Sequence, residues 1–375
     1  MKILFVNNFR KRGGGEEFLR DLLPGLVAKG ISVGLICRPH TPLVDIFKNT
    51  GIQLYPVDRN GLNALSAIFK TAGIIRKGGY RIVDIQRGHD IAQAWLGALL
   101  SGRKPKLMYT PQVPEFIRSR FLLSRMTRIV TISRYIREKI VTYYPGMASR
   151  LSIVYYGIDL KTFNPEMIEP GVLRDRFRLA PEIPLIGTVG DTWKNQIEFL
   201  DALALIRREL PGARFALVAS QSKSVHLDTF NRRAAELGLS DAIIWTGRLS
   251  KEEMLSFYAD IDLAVSTHRN EGFGIWVLEA FAMGTPMISV NEGGIRDSLE
   301  GSPAGILVDG GPKEMAAAVI NLLRDRPLRT RMTAAGPKWV ADRFSRQRMI
   351  DDYYRFFEEL EKAEDRSRPM RLSGL

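Results

Sequence analysis

Two glutamates eight positions apart, Glu271 and Glu279, flank the start of a predicted helix. A carboxylate presents only hydrogen-bond acceptors and therefore suits the paired hydroxyls of a sugar or a ribose. The helix opens with the amides of Phe273, Gly274 and Ile275, and amides at a helix N-terminus bind anions. Gly272 and Gly274 have no side chains to keep a ligand away from this backbone. The spacing therefore predicts a site for a phosphorylated sugar compound.

Glu279 lies among apolar residues of the same helix, where a charge costs free energy unless it has a partner. A plain helix start with a solvated glutamate is the alternative, since acidic residues are common in a first turn. We favour the binding interpretation because solvation does not account for a charge at position 279.

Lys194 precedes another predicted helix, in the segment Trp193-Lys194-Asn195-Gln196. An ammonium group there can act as a point charge on a leaving diphosphate. A surface lysine at a helix start is the alternative. His89, which follows the predicted strand 82–85, is a further candidate site residue. A structural role is the alternative, since a lone histidine in a loop is more often structural.

Metal ligands are not grouped along the sequence. The histidines His40, His89, His226 and His268 have no paired spacing, and Cys37 is the only cysteine, so no cysteine-based site can form. We expect no metal ion and no cofactor. The apolar run at the N-terminus is short and residues 91–100 are too few to span a bilayer, so we expect a cytoplasmic protein.

The 375 residues carry a formal net charge of +13 that is unevenly distributed. Residues 1–160 hold 25 Lys and Arg against 10 Asp and Glu, so the remainder holds 29 basic and 31 acidic residues. A basic first half indicates an anionic partner such as a phospholipid surface. Residues 118–128 interleave arginine with apolar residues, which is typical of a helix on anionic lipid or of an ordinary amphipathic helix.

Short apolar runs alternate with longer amphipathic patterns along the chain, which predicts an α/β fold with parallel sheets. The predicted strands are 3–6, 32–37, 53–57, 82–85, 106–109, 129–132 and 151–155, then 185–189, 214–218, 243–246, 263–266, 287–290 and 305–308. A proline-rich segment separates the two series. We therefore predict two doubly wound domains, 1–163 and 185–345, with a linker at 164–184 and a helix at 346–365.

The segment from Asn270 to Pro286 resembles the E-x7-E signature of the retaining GT-B glycosyltransferases of the family-four type, also described as glycosyl transferases group 1. The resemblance extends to Gly157-Ile158-Asp159 before the linker and to Phe344-Ser345 near the end. It implies two Rossmann-like domains facing a central cleft, with the last helix crossing back to the first domain. The first domain would bind the acceptor and the second the nucleotide-sugar donor.

By the same resemblance Glu271 contacts the donor sugar and Glu279 the ribose. The loop Gly13-Gly14-Gly15 resembles a family loop that covers the donor phosphate, Lys194 matches a family lysine, and His89 lies where many members carry a histidine. Gly293-Gly294 resembles a further loop near the donor, although a plain turn is the alternative.

The chain departs from the family pattern at Thr188, where members usually carry an arginine. Arg248 or Arg269 are candidates to replace that charge, and a catalytically weakened member is the alternative.

The resemblance implies a metal-independent, retaining transferase acting on a glycan or lipid-linked acceptor, in cell-envelope polysaccharide or lipopolysaccharide biosynthesis. A nucleotide-sugar epimerase or an inverting transferase are the enzyme alternatives. A nucleic-acid-binding protein would use the basic half but leaves both glutamates unexplained, so we expect no nucleic-acid partner.

Overall fold

The computed structural model describes residues 1–9, 14–59, 63–113, 119–192, 194, 196–220 and 225–362. Tertiary contacts group the chain into two compact units, the first formed by Met1–Tyr156 with Arg346–Leu375 and the second by Gly157–Ser345. The predicted α/β class is confirmed, because each unit is built around one parallel sheet with helices.

The first unit holds a seven-stranded parallel sheet in the order β3-β2-β1-β4-β5-β6-β7. Its strands are β1 (Lys2–Asn7), β2 (Ser32–Cys37), β3 (Gln53–Pro56), β4 (Ile82–Ile85), β5 (Lys106–Tyr109), β6 (Arg128–Thr131) and β7 (Leu151–Ile153). Its helices are α1 (Gly14–Ala28), α2 (Pro42–Phe47), α3 (Asn63–Gly78), α4 (Ile91–Ser101), α5 (Arg120–Ser124), α6 (Arg134–Tyr143) and, from the end of the chain, α15 (Arg346–Lys362).

The second unit holds a six-stranded parallel sheet in the order β10-β9-β8-β11-β12-β13. Its strands are β8 (Leu185–Val189), β9 (Arg214–Val218), β10 (Ile243–Trp245), β11 (Leu263–Ser266), β12 (Met287–Val290) and β13 (Gly305–Val308). Its helices are α7 (Val172–Arg176), α8 (Gln196–Glu209), α9 (Val225–Glu236), α10 (Lys251–Asp260), α11 (Ile275–Ala282), α12 (Arg296–Leu299), α13 (Pro312–Arg324) and α14 (Arg326–Arg343).

Aromatic side chains attach α15 to the first unit. Phe357 meets Phe5 of β1 with the ring centroids 6.1 Å apart, and Tyr353 lies 5.5 Å from Phe18 of α1. Both α15 side chains are fully buried. Burial of groups this large is a major favourable contribution to folding, so the apolar face of α15 completes the core of the first unit.

The proline-rich segment 164–184 is anchored within the second unit by the carboxylate of Asp260. That carboxylate accepts the amide of Leu173 at 2.5 Å and that of Arg174 at 3.2 Å, at the start of α7. The Arg174 side chain pairs with Asp262 at 3.1 Å. Acidic groups at a helix N-terminus satisfy its free amides, which explains why this short helix forms.

Both sheets place their loops in the arrangement typical of doubly wound folds. The strand order of each sheet reverses once, between β1 and β4 in the first and between β8 and β11 in the second. Ligands of such sheets bind beyond the carboxyl ends of the strands at this reversal. The residues following β8 and β11 are therefore the first place to look for a site in the second unit.

Candidate functional site

Three side chains meet beyond β8 and β11 in the second unit: Lys194, His268 and Glu271. Lys194 lies on the loop between β8 and α8, and the other two lie on the loop between β11 and α11. The ammonium Nζ of Lys194 is 3.0 Å from Oε2 of Glu271, and Nδ1 of His268 is 3.1 Å from the same oxygen. Two of the predicted site residues are thus in direct contact, together with a histidine that was not predicted.

The carboxyl of Glu271 is held ionised by these neighbours. Its burial alone would raise its pKa, but the hydrogen bond with His268 and the positive charge of Lys194 outweigh that cost and lower the pKa to about 2. The second oxygen, Oε1, accepts the backbone amide of Gly272 at 3.2 Å. A carboxylate held ionised beside a lysine and a histidine can accept hydrogen bonds from the hydroxyl groups of a sugar.

The Lys194 side chain lies across a glycine at the end of β8. Gly190 has a φ of +137°, and a Cβ atom there would be 2.7 Å from Cδ of Lys194. The backbone amide of Lys194 donates to the carbonyl of Asp191 at 2.9 Å, and the Asp191 carboxylate accepts the amide of Ser220 at 2.9 Å. The loop is therefore shaped by its own hydrogen bonds to place the lysine at this edge of the sheet.

The start of α11 has a backbone conformation that favours glycine. Gly274 is the N-cap residue with a φ of +83°, a left-handed conformation that favours glycine. Phe273 is buried against Phe344, and Ile275 is half-buried. The helix N-terminus follows Glu271 directly, so its amides and the carboxylate belong to one continuous segment.

The Gly293-Gly294 loop contacts this segment from the neighbouring strand β12. The amide of Gly294 donates to the carbonyl of Glu271 at 2.7 Å, and a Cβ on Gly294 would lie 2.0 Å from the carbonyl oxygen of Gly272. No side chain fits there. The loop therefore supports the backbone that carries Glu271, which gives these glycines a structural role that spacing alone could not distinguish from a plain turn.

Glu279 has the partner that its apolar surroundings require. The hydroxyl of Tyr258, on α10, donates to Oε2 of Glu279 at 2.8 Å. Burial and the adjacent carboxylate raise the pKa of Tyr258 well above its usual value, so the hydroxyl stays protonated and available as a donor. Tyr258 is a second residue that sequence analysis missed, because it lies 21 positions away on another helix.

Arg248 and Arg269, the candidates to replace the family arginine absent at position 188, both lie outside the contact between Lys194 and Glu271. Arg269 forms ion pairs with Glu198 and Glu292, so its charge is already balanced. Arg248 is exposed, and Thr188 is buried within β8. Within the part of the chain that the structure describes, neither arginine forms a hydrogen bond or ion pair with Lys194 or Glu271, whereas His268 contacts Glu271.

The candidates of the first unit lie at the carboxyl ends of its own strands. Gly13 is outside the described residues; Gly14 begins α1 and Gly15 follows, with Gln112 packed against it. The carboxylate of Glu16 is buried and accepts Nδ2 of Asn7 at 3.2 Å. The His89 side chain is exposed and its backbone carbonyl accepts Arg59 at 2.9 Å. The roles suggested for Gly14, Gly15 and His89 stay predictions.

His268 could have been recognised from its spacing. It lies three positions before Glu271, a separation at which side chains of one loop can meet, but the search for paired histidines passed over it. Within the residues that the structure describes, no group of three or more His, Cys, Asp or Glu side chains is arranged to hold a metal ion.

Comparison with known proteins identifies both halves of the chain. Residues 12–162 match the family described as Glycosyltransferase Family 4, and residues 179–339 match Glycosyl transferases group 1. A GDP-mannose-dependent alpha-(1-6)-phosphatidylinositol monomannoside mannosyltransferase of Mycobacterium tuberculosis is 32% identical over 372 residues, covering 90% of this chain and 93% of that protein. A D-inositol 3-phosphate glycosyltransferase of Xylanimonas cellulosilytica is 25% identical, covering 88% of each.

Solved structures agree on the fold. A glycosyltransferase from Rickettsia africae superimposes with a TM-score of 0.84 at 19% identity, covering 96% of this chain and 98% of that one. The Anabaena protein Alr3699/HepE, crystallised with UDP-glucose, gives a TM-score of 0.81 at 18% identity, covering 96% and 100%. Together with the two parallel sheets, one in each unit, and the Glu271 cluster, these matches show that the chain is a member of the GT-B glycosyltransferases. Its first half matches family 4 and its second half matches group 1.

Proposed function

We propose that this enzyme transfers a hexosyl group from a nucleotide-sugar donor to a lipid-linked glycan acceptor, with retention of anomeric configuration. The observation that carries the proposal is the contact of Lys194 with Glu271 beside the N-terminus of α11. A lysine and the amides at a helix N-terminus stabilise a leaving diphosphate, and a carboxylate kept ionised binds the sugar. Glu279 is the proposed acceptor for the ribose hydroxyls.

Retention is proposed to occur by attack on the same face that the diphosphate leaves. A double displacement needs a carboxylate nucleophile at the anomeric carbon, and we assign none. The rate then depends on stabilising the developing negative charge of the diphosphate. Lys194 and the α11 amides supply that stabilisation without a metal ion, so we expect turnover to persist in the presence of EDTA. Product anomer analysis separates this mechanism from an inverting transferase, and an epimerase would release an altered nucleotide sugar instead.

The proposed donor is GDP-mannose. The Mycobacterium tuberculosis relative that matches nearly the whole chain is described as GDP-mannose-dependent, whereas the Anabaena structure holds UDP-glucose. A thermal-shift panel of GDP-mannose, UDP-glucose, UDP-galactose and UDP-N-acetylglucosamine tests the choice. A ligand present at 100 times its Kd adds about 2.7 kcal/mol to the free energy of unfolding. Transfer is then measured with the stabilising donor, and stabilisation by none of the four would contradict the proposal.

Turnover is expected to depend on Lys194. We expect Lys194→Ala to lower kcat by about 100-fold or more, because loss of one preorganised charge at an oxyanion costs roughly 3 kcal/mol. Lys338, exposed on α14 beside Asp342, gives the matched control, and Lys338→Ala should keep the wild-type rate. Equal rates for the two variants would remove Lys194 from the mechanism.

A lipid-linked acceptor is supported by exposed apolar and basic side chains on three helices of the first unit, which we together name the membrane face. It comprises exposed apolar side chains of α3, α4 and α5: Leu65, Phe69, Leu99, Leu100 and Phe121. Helices α3 and α4 pack together, and the rings of Trp95 on α4 and Phe121 on α5 are 5.3 Å apart. The guanidinium of Arg125 lies over both rings. No described helix is long and apolar enough to cross a bilayer.

The charge around the membrane face is positive. Residues 63–113 and 119–128 contain eleven Lys and Arg against two acidic residues, Asp84 and Asp90, both of which are buried. Exposed apolar side chains on segments rich in Lys and Arg are typical of surfaces that bind anionic lipid. We therefore propose that the enzyme acts in the cytoplasm at the inner face of the membrane, in the synthesis of cell-envelope glycolipids or polysaccharides.

Vesicle binding tests this surface. The full-length protein should sediment with phosphatidylglycerol vesicles and much less with phosphatidylcholine vesicles, and added salt should release it. The double variant Leu65→Ser, Phe69→Ser should weaken binding by more than about tenfold, because it removes two exposed apolar side chains worth roughly 1.5 kcal/mol each. Met167→Ser removes an equally exposed side chain of the second unit and is the control. Equal partition onto both kinds of vesicle would reject the electrostatic component.

A further inference from the structure

Lys194 and His268 both contact Oε2 of Glu271. The proposed function requires Lys194 to contact the donor diphosphate instead. Lys194 contacts Oε2 in this structure, yet it is the residue assigned to the leaving diphosphate. We infer that His268 is a positioning residue: it keeps Glu271 in place when Lys194 leaves the carboxylate to contact the donor diphosphate. This inference rests on the proposed function and goes beyond it by assigning a role to His268.

The geometry permits such an exchange of partners. A carboxylate oxygen has two lone pairs, so Oε2 can accept Lys194 at 3.0 Å and His268 at 3.1 Å at once. Loss of the lysine contact leaves the histidine contact unchanged. The other oxygen keeps the amide of Gly272. Glu271 therefore retains a partner on each oxygen after Lys194 has moved.

The two neighbours differ in their freedom to move. Lys194 has a flexible four-carbon stem that lies across Gly190, where the absence of a Cβ leaves space for it. A diphosphate carries more negative charge than one carboxylate and attracts the ammonium more strongly. His268 has a short side chain, shares its loop with Glu271, and its backbone amide lies 3.4 Å from Oγ of Ser266. It is therefore fixed relative to the carboxylate.

Without His268 the carboxylate would be poorly held during the reaction. Within the described part of the chain, the Glu271 carboxylate would keep only its hydrogen bond with the Gly272 amide once both the histidine and Lys194 were gone. A largely buried carboxylate with few partners is costly, and it would shift toward solvent or take up a proton. Either change would displace the group that binds the donor sugar. The histidine also stands three residues from Glu271 in a chain that lacks the family arginine at position 188, where Thr188 is buried.

The test compares two substitutions of His268 in the full-length enzyme. His268→Leu removes the donor to Glu271, and His268→Asn replaces Nδ1 with an amide nitrogen at a similar distance along the side chain. The measurements are kcat with GDP-mannose and the Kd of GDP alone. Circular dichroism and thermal unfolding establish that both variants fold. GDP carries the diphosphate but lacks the sugar, so its binding measures how readily Lys194 leaves Glu271, without any contribution from a sugar contact.

We expect His268→Leu to lower kcat by about tenfold or more, since hydrogen bonds to charged groups contribute roughly 1.5–3 kcal/mol. The Kd of GDP should rise as well, because GDP binding also draws Lys194 away from a carboxylate that has lost its histidine, and His268→Asn should restore most of both losses. An unchanged kcat in His268→Leu would overturn the inference, and so would an unchanged Kd of GDP or equal losses in both variants. A wild-type enzyme without turnover on any nucleotide sugar would reject the proposed function first, and this inference with it.

Discussion

Asp84 of the first unit and Glu271 of the second are both largely removed from water near the carboxyl edge of a sheet, and their pKa values are shifted in opposite directions. Asp84, on β4 of the first unit, has its pKa raised to about 8 by burial, against weaker lowering by hydrogen bonds with Thr110 and Gln86. Glu271, after β11 of the second unit, has its pKa lowered to about 2 despite its burial. The difference lies in the partners: neutral groups around Asp84, and a lysine with a histidine around Glu271.

The comparison shows that burial does not decide whether a carboxyl is charged. Neutral hydrogen bonds only partly offset the loss of water, so Asp84 is mostly protonated at neutral pH. The lysine and the histidine beside Glu271 more than offset it, so Glu271 remains an anion available to a ligand. A buried carboxyl with a lysine beside it is therefore a stronger indication of a binding site than a buried carboxyl alone.

The largest expected effect comes from Gly294→Ala, which would separate Glu271 from Lys194 and His268. The added Cβ would collide with the carbonyl oxygen of Gly272, 2.0 Å away, and push the Glu271 backbone out of position. We expect a loss of about 2–4 kcal/mol in the free energy of unfolding. Transfer should fall by more than about 100-fold, as displacements near 1 Å commonly cause. Urea unfolding and a transfer assay measure the two effects.

Gly212→Ala is the matched control for that substitution. A Cβ at Gly212 would have no heavy atom within 4 Å, so stability and transfer should remain close to wild type. If Gly294→Ala behaved like this control, the support that the Gly293-Gly294 loop gives to Glu271 would be disproved.

A smaller effect is expected from Asp84→Asn, which removes ionisation at the first carboxyl. The pKa of Asp84 is about 8 in the folded chain against 3.8 for an ordinary aspartate, so its contribution to stability is full below pH 4 and is lost as the pH rises to 8. The wild-type free energy of unfolding should therefore fall relative to the variant by up to about 1.4 kcal/mol per pH unit in that range. Urea unfolding at pH 5, 6, 7 and 8 measures the slope.

Asp45, exposed on α2, gives the control Asp45→Asn. The difference in the free energy of unfolding between Asp45→Asn and wild type should not change with pH as the difference for Asp84→Asn does. A constant difference between Asp84→Asn and wild type from pH 5 to pH 8 would show that Asp84 is ionised throughout, and the contrast between the two carboxyls would not hold.

The smallest expected effect is that of Glu279→Gln. Glutamine still accepts the Tyr258 hydroxyl, now 2.8 Å from the carboxylate, but it loses the charge and one acceptor for a ribose diol. We expect the Kd of GDP to rise about fivefold, equivalent to roughly 1 kcal/mol. Glu279→Ala should cost more, because it also leaves the buried Tyr258 hydroxyl without this partner. Isothermal titration of both variants sharpens the assignment, and unchanged affinity in both would remove Glu279 from the ribose site.

Much of the fold could be predicted because each element is local in sequence. The strand predictions 32–37, 82–85 and 185–189 match the observed strands, since short β-rich runs between helical patterns identify buried parallel strands. Glu271 and Lys194 could be predicted because a recognisable pattern surrounds each of them. That they touch each other, 77 positions apart, depends on the pairing of β8 with β11.

The residues that were missed depend on contacts that no local pattern contains. Tyr258 partners Glu279 from another helix. In the sequence, Asp84 is an ordinary polar residue near the end of a strand. Its unusual surroundings come from Thr110 and Tyr353, which are distant in the chain. Only His268 carried a local signal, its distance of three residues from Glu271.

The first unit is discontinuous in the chain, and this has a consequence for synthesis on the ribosome. Residues 157–345 form the second unit and are translated before α15, whose Tyr353 and Phe357 fill the core of the first unit. After residues 1–156 have been made, the apolar surface of Phe5 and Phe18 that α15 covers stays exposed. It is covered only when α15 leaves the exit tunnel. The half that is translated second is the first that can finish folding.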